Sequence, residues 1–328
     1  MALSFIAINL SMTVRTEINA VQAADAAERS YFLAKGAIEE VLFRLIFPYS
    51  KEERQKNLFP YEAGMNHFWI QGKEAMCHVA ILDESGKLDL NYAEKETLES
   101  LLAQLGFNAT QSKVLAENID DWKNPGRDTS STASPKKADK RRFGSAEQLL
   151  EVPGMSREIL YGRPDRDEDG EIRYRSGLLD YVTVYSETNV VNVNYAEPEV
   201  LAALPGMNKE LAQAIVLARK SEPLKDGIPI SEQLTAQIPG ESLSFLTTKL
   251  SSRFTLVATG WVKGSAMRRS VRLIVKRNPF NKSIMERLIF YDEYWPLASI
   301  RKWVQDPSEM ESSMRRYEMK QLESGEES

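Results

Sequence analysis

Apolar side chains recur at helical spacing from the start of the chain. Ile6, Leu10, Val14, Ile18 and Val21 form one stripe, which resumes through Phe32, Ile38, Leu42 and Leu45 until Pro48. Residues 1–35 contain neither Gly nor Pro, so the pattern predicts one long helix, on the order of 65 Å at 1.5 Å per residue. Its opening run, MALSFIAINLSMTV, is uncharged but meets Arg15 and Glu17 after fourteen residues, short of the roughly 20 that a bilayer span needs. Two readings fit: a core helix whose first turns are buried in protein, or a truncated membrane anchor. We favour the anchor. The run lacks the basic start and small-residue cleavage site of a secretory signal peptide, so it is not set aside as one.

Beyond Pro48 the period changes. HFWIQGKEAMCHVAILD holds two β-favouring runs broken at Gly72, with Ser85-Gly86 beyond, and predicts a hairpin over about 67–82. A second hairpin pairs RFTLVATGWV with RRSVRLIVKR, where Val271, Leu273 and Val275 alternate with Arg272, Ile274 and Lys276, as in a strand with one buried face. Together they predict a small antiparallel sheet.

Between the hairpins, from about 91 to 250, the chain reads as helical and repetitive. LDLNYAEKETLESLL (88–102) echoes VNVNYAEPEVLAAL (191–204), and three further segments rhyme: EQLLEVPG, EVLAALPG and EQLTAQIPG. Asn91 and Asn194 read as N-caps, with Glu94 and Glu197 three residues later as in a capping box. Each Pro-Gly reads as a helix stop. The loop NPGRDTSSTASPKKADKRR reads as solvated, its Lys136, Lys137, Lys140, Arg141 and Arg142 offering otherwise a contact for acidic lipid or protein. Past Trp295 the composition predicts a frayed helix and a disordered tail ending in LESGEES.

Composition narrows the function. Lys and Arg total 42 against 47 Asp and Glu, a net charge of −5, which gives no global attraction to nucleic acid. Leu204-Pro205-Gly206-Met207, Ala212, Ile215 and Arg219 fit a helix-hairpin-helix, but Asn208 stands where a phosphate-binding turn has its second Gly. Glu197, Glu199 and Glu210 outnumber Lys209 and Arg219 there. A packing hairpin is the better reading. Cys77 is the single cysteine and adjoins His78; on a strand they point to opposite faces and cannot share a metal. No HExxH, GxSxG, P-loop or paired-Cys pattern occurs, so no catalytic residue is assigned.

One stretch has metal chemistry. In DRDEDG, Asp165, Asp167 and Asp169 precede Gly170, with Glu171 placed to offer a backbone carbonyl and Ile172 after it, as in the first half of a calcium loop. Position 12 is Ser176 instead of a bidentate Glu, so a Ca²⁺ ion would need other donors, such as Glu168 or Asp180. A solvated acidic turn is the competing reading.

The order of these parts resembles the minor pseudopilin K subunit of bacterial type II secretion systems, the general secretion pathway protein K family. TEINAVQAADAAERSYFLAKGAIEEVLFRL, DESGKLDLNYA, IDDWKNPGRD and, most specifically, LDYVTVYSETNVVNVNYAEPEVLAALPGM carry the resemblance. It implies an α+β, pilin-like fold: a long N-terminal helix packed on a small antiparallel sheet, with a large α-helical domain inserted between strands. The expected parts are 1–48, the helix, partly membrane-embedded; 49–90 and 251–295, the sheet; 91–250, the inserted domain with helix-hairpin-helix-like repeats; and 296–328, a polar tail. The resemblance further implies a non-catalytic subunit capping a short pseudopilus with other minor pseudopilins and inner-membrane secretion components, its globular part in the periplasm. It also adds weight to calcium in the helical domain. Family members carry a basic leader before the hydrophobic helix, so an upstream in-frame extension is expected. The acidic residues that follow Trp122 in the family are replaced here by a Ser- and Lys-rich segment, which argues against a metal role for Asp120, Asp121 or Asp128. The competing functions are a DNA-binding or DNA-uptake hairpin module and a type IV pilus minor pilin.

Overall fold

The computed structural model describes residues 2–46, 67–71, 74–125, 141–166, 172–221, 224–234, 238–249, 251–265, 267–278, 280–281, 284–292 and 294. They divide into two compact units, one holding residues up to Ile81 and from Thr255 to 294, the other Leu82–Phe254. Both changes of unit fall inside a strand. The fold is α+β: a long N-terminal helix on a small antiparallel sheet, with a largely helical unit inserted in sequence between two neighbouring strands.

The first unit is built on helix α1 (Ala2–Ile46) and a five-stranded sheet of β1 (His67–Gln71), β2 (Ala75–Asp83), β9 (Arg253–Val262), β10 (Arg268–Arg277) and β11 (Met285–Tyr291), in the order β1-β2-β9-β10-β11. Small residues let α1 lie close to the sheet. Ala26, Ser30, Ala34 and Ala37 are buried on it, and a Cβ at Gly260 of β9 would come within 2.3 Å of the Ser30 carbonyl oxygen. Ile38, Val41, Leu42 and Leu45 complete the buried face. At the sheet's edge Tyr31 donates to Asp292 at 2.5 Å, and Glu39 pairs with Arg287 at 2.6 Å. The sheet differs from the one-sided strand that alternation predicted. On β10 Arg272 and Ile274 are buried along with Val271 and Leu273, and the Tyr291 and Tyr294 rings cover the Arg272 guanidinium at 5.2 and 5.3 Å. An arginine stem under aromatic rings reads as solvent-facing in sequence, yet is packed.

The second unit is made of short elements. In chain order these are β3 (Leu88–Asp89), α2 (Lys95–Gln104), α3 (Ala109–Lys123), α4 (Arg157–Tyr161), β4 (Arg163–Arg166), β5 (Ile172–Arg175), β6 (Val182–Thr183), β7 (Val191–Asn192), α5 (Pro198–Ala203), α6 (Lys209–Ser221), α7 (Ile230–Gln233), α8 (Gly240–Leu243) and β8 (Leu246–Thr247). The repeat seen in sequence is a repeat in space. β3 pairs in parallel with β6, and β7 with β8. At the end of each first strand a buried side chain (Asp89 or Asn192) accepts from the amide two residues on, at 2.9 Å in both copies. Each is followed by a helical hairpin, α2–α3 or α5–α6.

Asn91 and Asn194 are not the N-caps that their spacing suggests. Glu94 and Glu197 occupy those positions, without side-chain cap bonds. Each Asn instead clamps a distant loop. Asn91 donates to the Phe143 carbonyl at 3.0 Å and accepts from its amide at 2.8 Å; Asn194 does the same with Leu224 at 2.8 and 2.9 Å. A cation at the end of each second helix finishes the clamp. Lys123 donates to the Ala93 carbonyl at 3.2 Å, and Arg219 to those of Val193 and Ala196 at 2.6 Å. The Pro-Gly pairs also divide: Gly154 and Gly206 turn at φ 82° and 72°, whereas Pro239-Gly240 opens α8 instead of closing a helix.

Candidate assembly interface

Helix α1 changes character along its length. From Asn9 to Gln22 every described side chain is exposed, and burial begins only around Ala26. The sequence placed Phe32 on one continuing stripe with Ile38, Leu42 and Leu45; the structure separates them. Ile38, Leu42 and Leu45 face the sheet, while Phe32 is 59% exposed and Phe43 62%. Leu10 and Val21, at 64% and 69%, join these two on a line that faces outward. Phe32 and Phe43 each lie two positions from a buried residue, Ala34 and Val41, hence about 200° round the helix at 3.6 residues per turn. The signal that separates the faces is spacing: Leu10, Val21, Phe32 and Phe43 stand eleven residues apart, about three turns. Val14 and Ile18 widen the line toward the N-terminus, where both are exposed. A stripe of this length on a monomer's surface marks an interaction site. Ile6 lies in α1, but its side chain is outside the described residues.

The α5–α6 hairpin, for which packing is the better reading and nucleic-acid binding the competing one, is closed to phosphate. Gly206 turns between α5 and α6, but the Glu241 side chain lies so near that a Cβ there would meet its Oε1 at 2.3 Å. Asn208 spends its side-chain oxygen on the Leu211 amide at 2.8 Å, and Ser242 donates to the Pro205 carbonyl at 2.6 Å. Arg219, the hairpin's terminal cation, is turned onto the Val193 and Ala196 carbonyls, and burial lowers its pKa. An anionic turn with an inward-facing arginine repels a polyanion.

The calcium residues fall where little can be built. Asp165 lies on β4 with its backbone opposite Arg173, while Asp167, Asp169 and Glu171, and with them Glu168, lie outside the described residues. Asp180 is buried, Asp120 pairs with Lys123 at 3.8 Å, and Asp128 is outside the described residues. Among the described residues no group of three or more His, Cys, Asp or Glu is placed to hold a metal ion. Cys77 and His78 are fully buried in β2, and burial pushes the Cys77 thiol far up, so it stays protonated. Their place is in the packing of the sheet.

Comparison with known proteins fits this geometry. Residues 191–256 match the family "Type II secretion system (T2SS), protein K". Over these residues, about a fifth of the chain, the sequence is similar to protein K of type II secretion systems. The matched segment runs from β7 through the second hairpin and β8 into β9, so it includes the second clamp, with Asn194 and Arg219. The fold as a whole resembles a chain of the GspK-GspI-GspJ complex from the type 2 secretion system of enterotoxigenic Escherichia coli. The TM-score is 0.51 at 14% identity, covering 85% of this chain and 98% of that one. No curated protein matches the sequence. Among the described residues no helix is long and apolar enough to cross a membrane.

Proposed function

We propose that the chain is a minor pseudopilin that caps the tip of a type II secretion pseudopilus, assembling with other minor pseudopilins for the export of folded proteins. The outward stripe of α1 carries this reading: Leu10, Val21, Phe32 and Phe43 are large, apolar and exposed, on a helix whose second half is already seated by its opposite face. A face of this kind gains its burial from a neighbour. The solved relative at 14% identity is a complex of GspK with GspI and GspJ, and by analogy the partners here are two further minor pseudopilins. The start of α1 is rooted in the inner membrane and the globular remainder of the chain lies in the periplasm. Glu241 over Gly206 weighs against DNA uptake, and the protein K segment favours a secretion system over a type IV pilus.

Replacing Leu10 or Phe32 by Asp tests this. A carboxylate among apolar helices cannot be buried without a partner, so copurification with the other minor pseudopilins from membranes is lost, while the melting temperature of the isolated chain is unchanged because both sites are exposed. Assembly retained by both variants refutes the reading.

We further propose that Asp165, Asp167 and Asp169, with the Glu171 carbonyl, bind Ca²⁺. The carboxylate spacing supports it, as does the pairing of Arg166 with Ile172, which draws together the chain on either side. Millimolar calcium then raises the melting temperature, and Asp167→Asn with Asp169→Asn removes the rise.

A further inference from the structure

The outward face of α1 carries charge in register with its apolar line. Glu17, Glu28 and Glu39 stand eleven residues apart, each four residues before Val21, Phe32 and Phe43, in the segments EINAV, ERSYF and EEVLF. A glutamate therefore sits one turn N-terminal to Val21, Phe32 and Phe43, on the same edge every time, while Leu10 has Ile6 in that place. An eleven-residue period stays nearly in line on an α-helix and leads to straight or slightly right-handed packing against a second helix.

Only part of this acidic edge is used within the chain. Glu39 is tied to Arg287 of β11 at 2.6 Å, whereas Glu17 and Glu28 are exposed, and the nearby Arg29 is tied to Asp25 at 2.9 Å. The occupant follows from length and charge. From Leu10 to Phe43 the line runs about 50 Å at 1.5 Å per residue, longer than the hydrocarbon core of about 30 Å, so a bilayer that holds the start of α1 leaves the rest of the line, with Phe32 and Phe43, uncovered. A second copy would bring the same acidic edge to the interface, and like charges in register repel.

Resting on the assembly reading above, we propose that this face receives one helix of a different chain, with an apolar stripe edged by Lys or Arg at eleven-residue spacing opposite Glu17 and Glu28. The apolar line supplies the area, and the two glutamates select the partner and fix its register.

The experiment reverses the charges in the full chain, as Glu17→Lys with Glu28→Lys, coexpressed with the minor pseudopilins of its own secretion system and recovered from membranes. Phe32→Asp is run beside it, and melting curves of each isolated variant confirm folding. Two exposed pairs and their reversal predict a loss of about fivefold or more in partner recovered. The loss shrinks in high salt, and the neutral Glu17→Gln, Glu28→Gln pair gives an intermediate result. Unchanged or increased recovery on reversal, with Phe32→Asp abolishing it, overturns the basic-edged partner and leaves the assembly reading standing. Recovery unaffected by either change overturns both.

Discussion

Asp83 shows what burial does to one carboxyl in this chain. It ends β2 with 4% exposure, accepts from the Ser85 amide and hydroxyl at 2.8 and 2.6 Å, and accepts from the Ser251 amide at 3.1 Å. Burial pushes its pKa up from 3.8 to about 6; the Ser85 and Ser251 bonds pull back, and neighbouring Glu84 adds to the rise. Burial also raises Asp89 and Glu197. A carboxyl with a higher pKa folded than unfolded holds its proton better in the folded state, so stability falls as pH rises through the interval between the two values and levels off above it. For Asp83 that window runs from about 4 to about 6, and the effect is on the order of 1–3 kcal/mol. The chain is therefore expected to melt higher at pH 5 than at pH 7.5. Asp83→Asn should remove part of that difference. Equal pH slopes in wild type and variant, measured by calorimetry, would show that Asp83 is not the source. None of this was visible in DESG, because nothing local marks Asp83 as buried: the Ser251 amide comes from 168 residues away.

At the scale of elements, the sequence was most legible where spacing is local and least where a side chain reaches across the chain. The long helix, both hairpins of the sheet and the doubled NYAE unit follow from periodicity and from identical residues. The N-caps did not. Asn-x-x-Glu matches a capping box, but the partners of Asn91 and Asn194 lie 52 and 30 residues away. Because each Asn satisfies both the amide and the carbonyl of one buried loop residue, Asn91→Ala and Asn194→Ala should each destabilise by about 1–3 kcal/mol, the cost of orphaned backbone groups. Asp at the same positions should recover little, since a carboxylate accepts but cannot donate. Urea melts of the four variants check this, and loss at only one site would mean that the two clamps are not equivalent. The turns make a similar contrast. Gly206→Ala meets both a φ of 72° and the Glu241 side chain, whereas Gly227→Ala meets a φ of 80° in open space. The first should cost more than the roughly 1 kcal/mol of a left-handed Ala, and the second about that amount.

For the molecule as a whole, the question is what holds the first half of α1 helical. Helix formation in water is only marginal without tertiary packing, and from Asn9 to Gln22 no described side chain is buried. The portion around Ser30 to Leu45 is different, with Ala34, Ile38 and Val41 fully enclosed. The apolar character of the first half was plain in the sequence, but which residues the rest of α1 turns outward was not, because Phe32 and Ile38 are equally apolar and only the sheet's position separates them. Stability should therefore be graded along one continuous helix. In the isolated chain the amides of residues 9–22 are expected to exchange with solvent deuterium much faster than those of residues 30–45, as read by mass spectrometry. Addition of the partner pseudopilins should slow exchange in the first segment and leave the second nearly unchanged, because the sheet already protects it. If the first segment in the isolated chain exchanges as slowly as the second, its stripe is covered within its own polypeptide and has no face left to offer a neighbour.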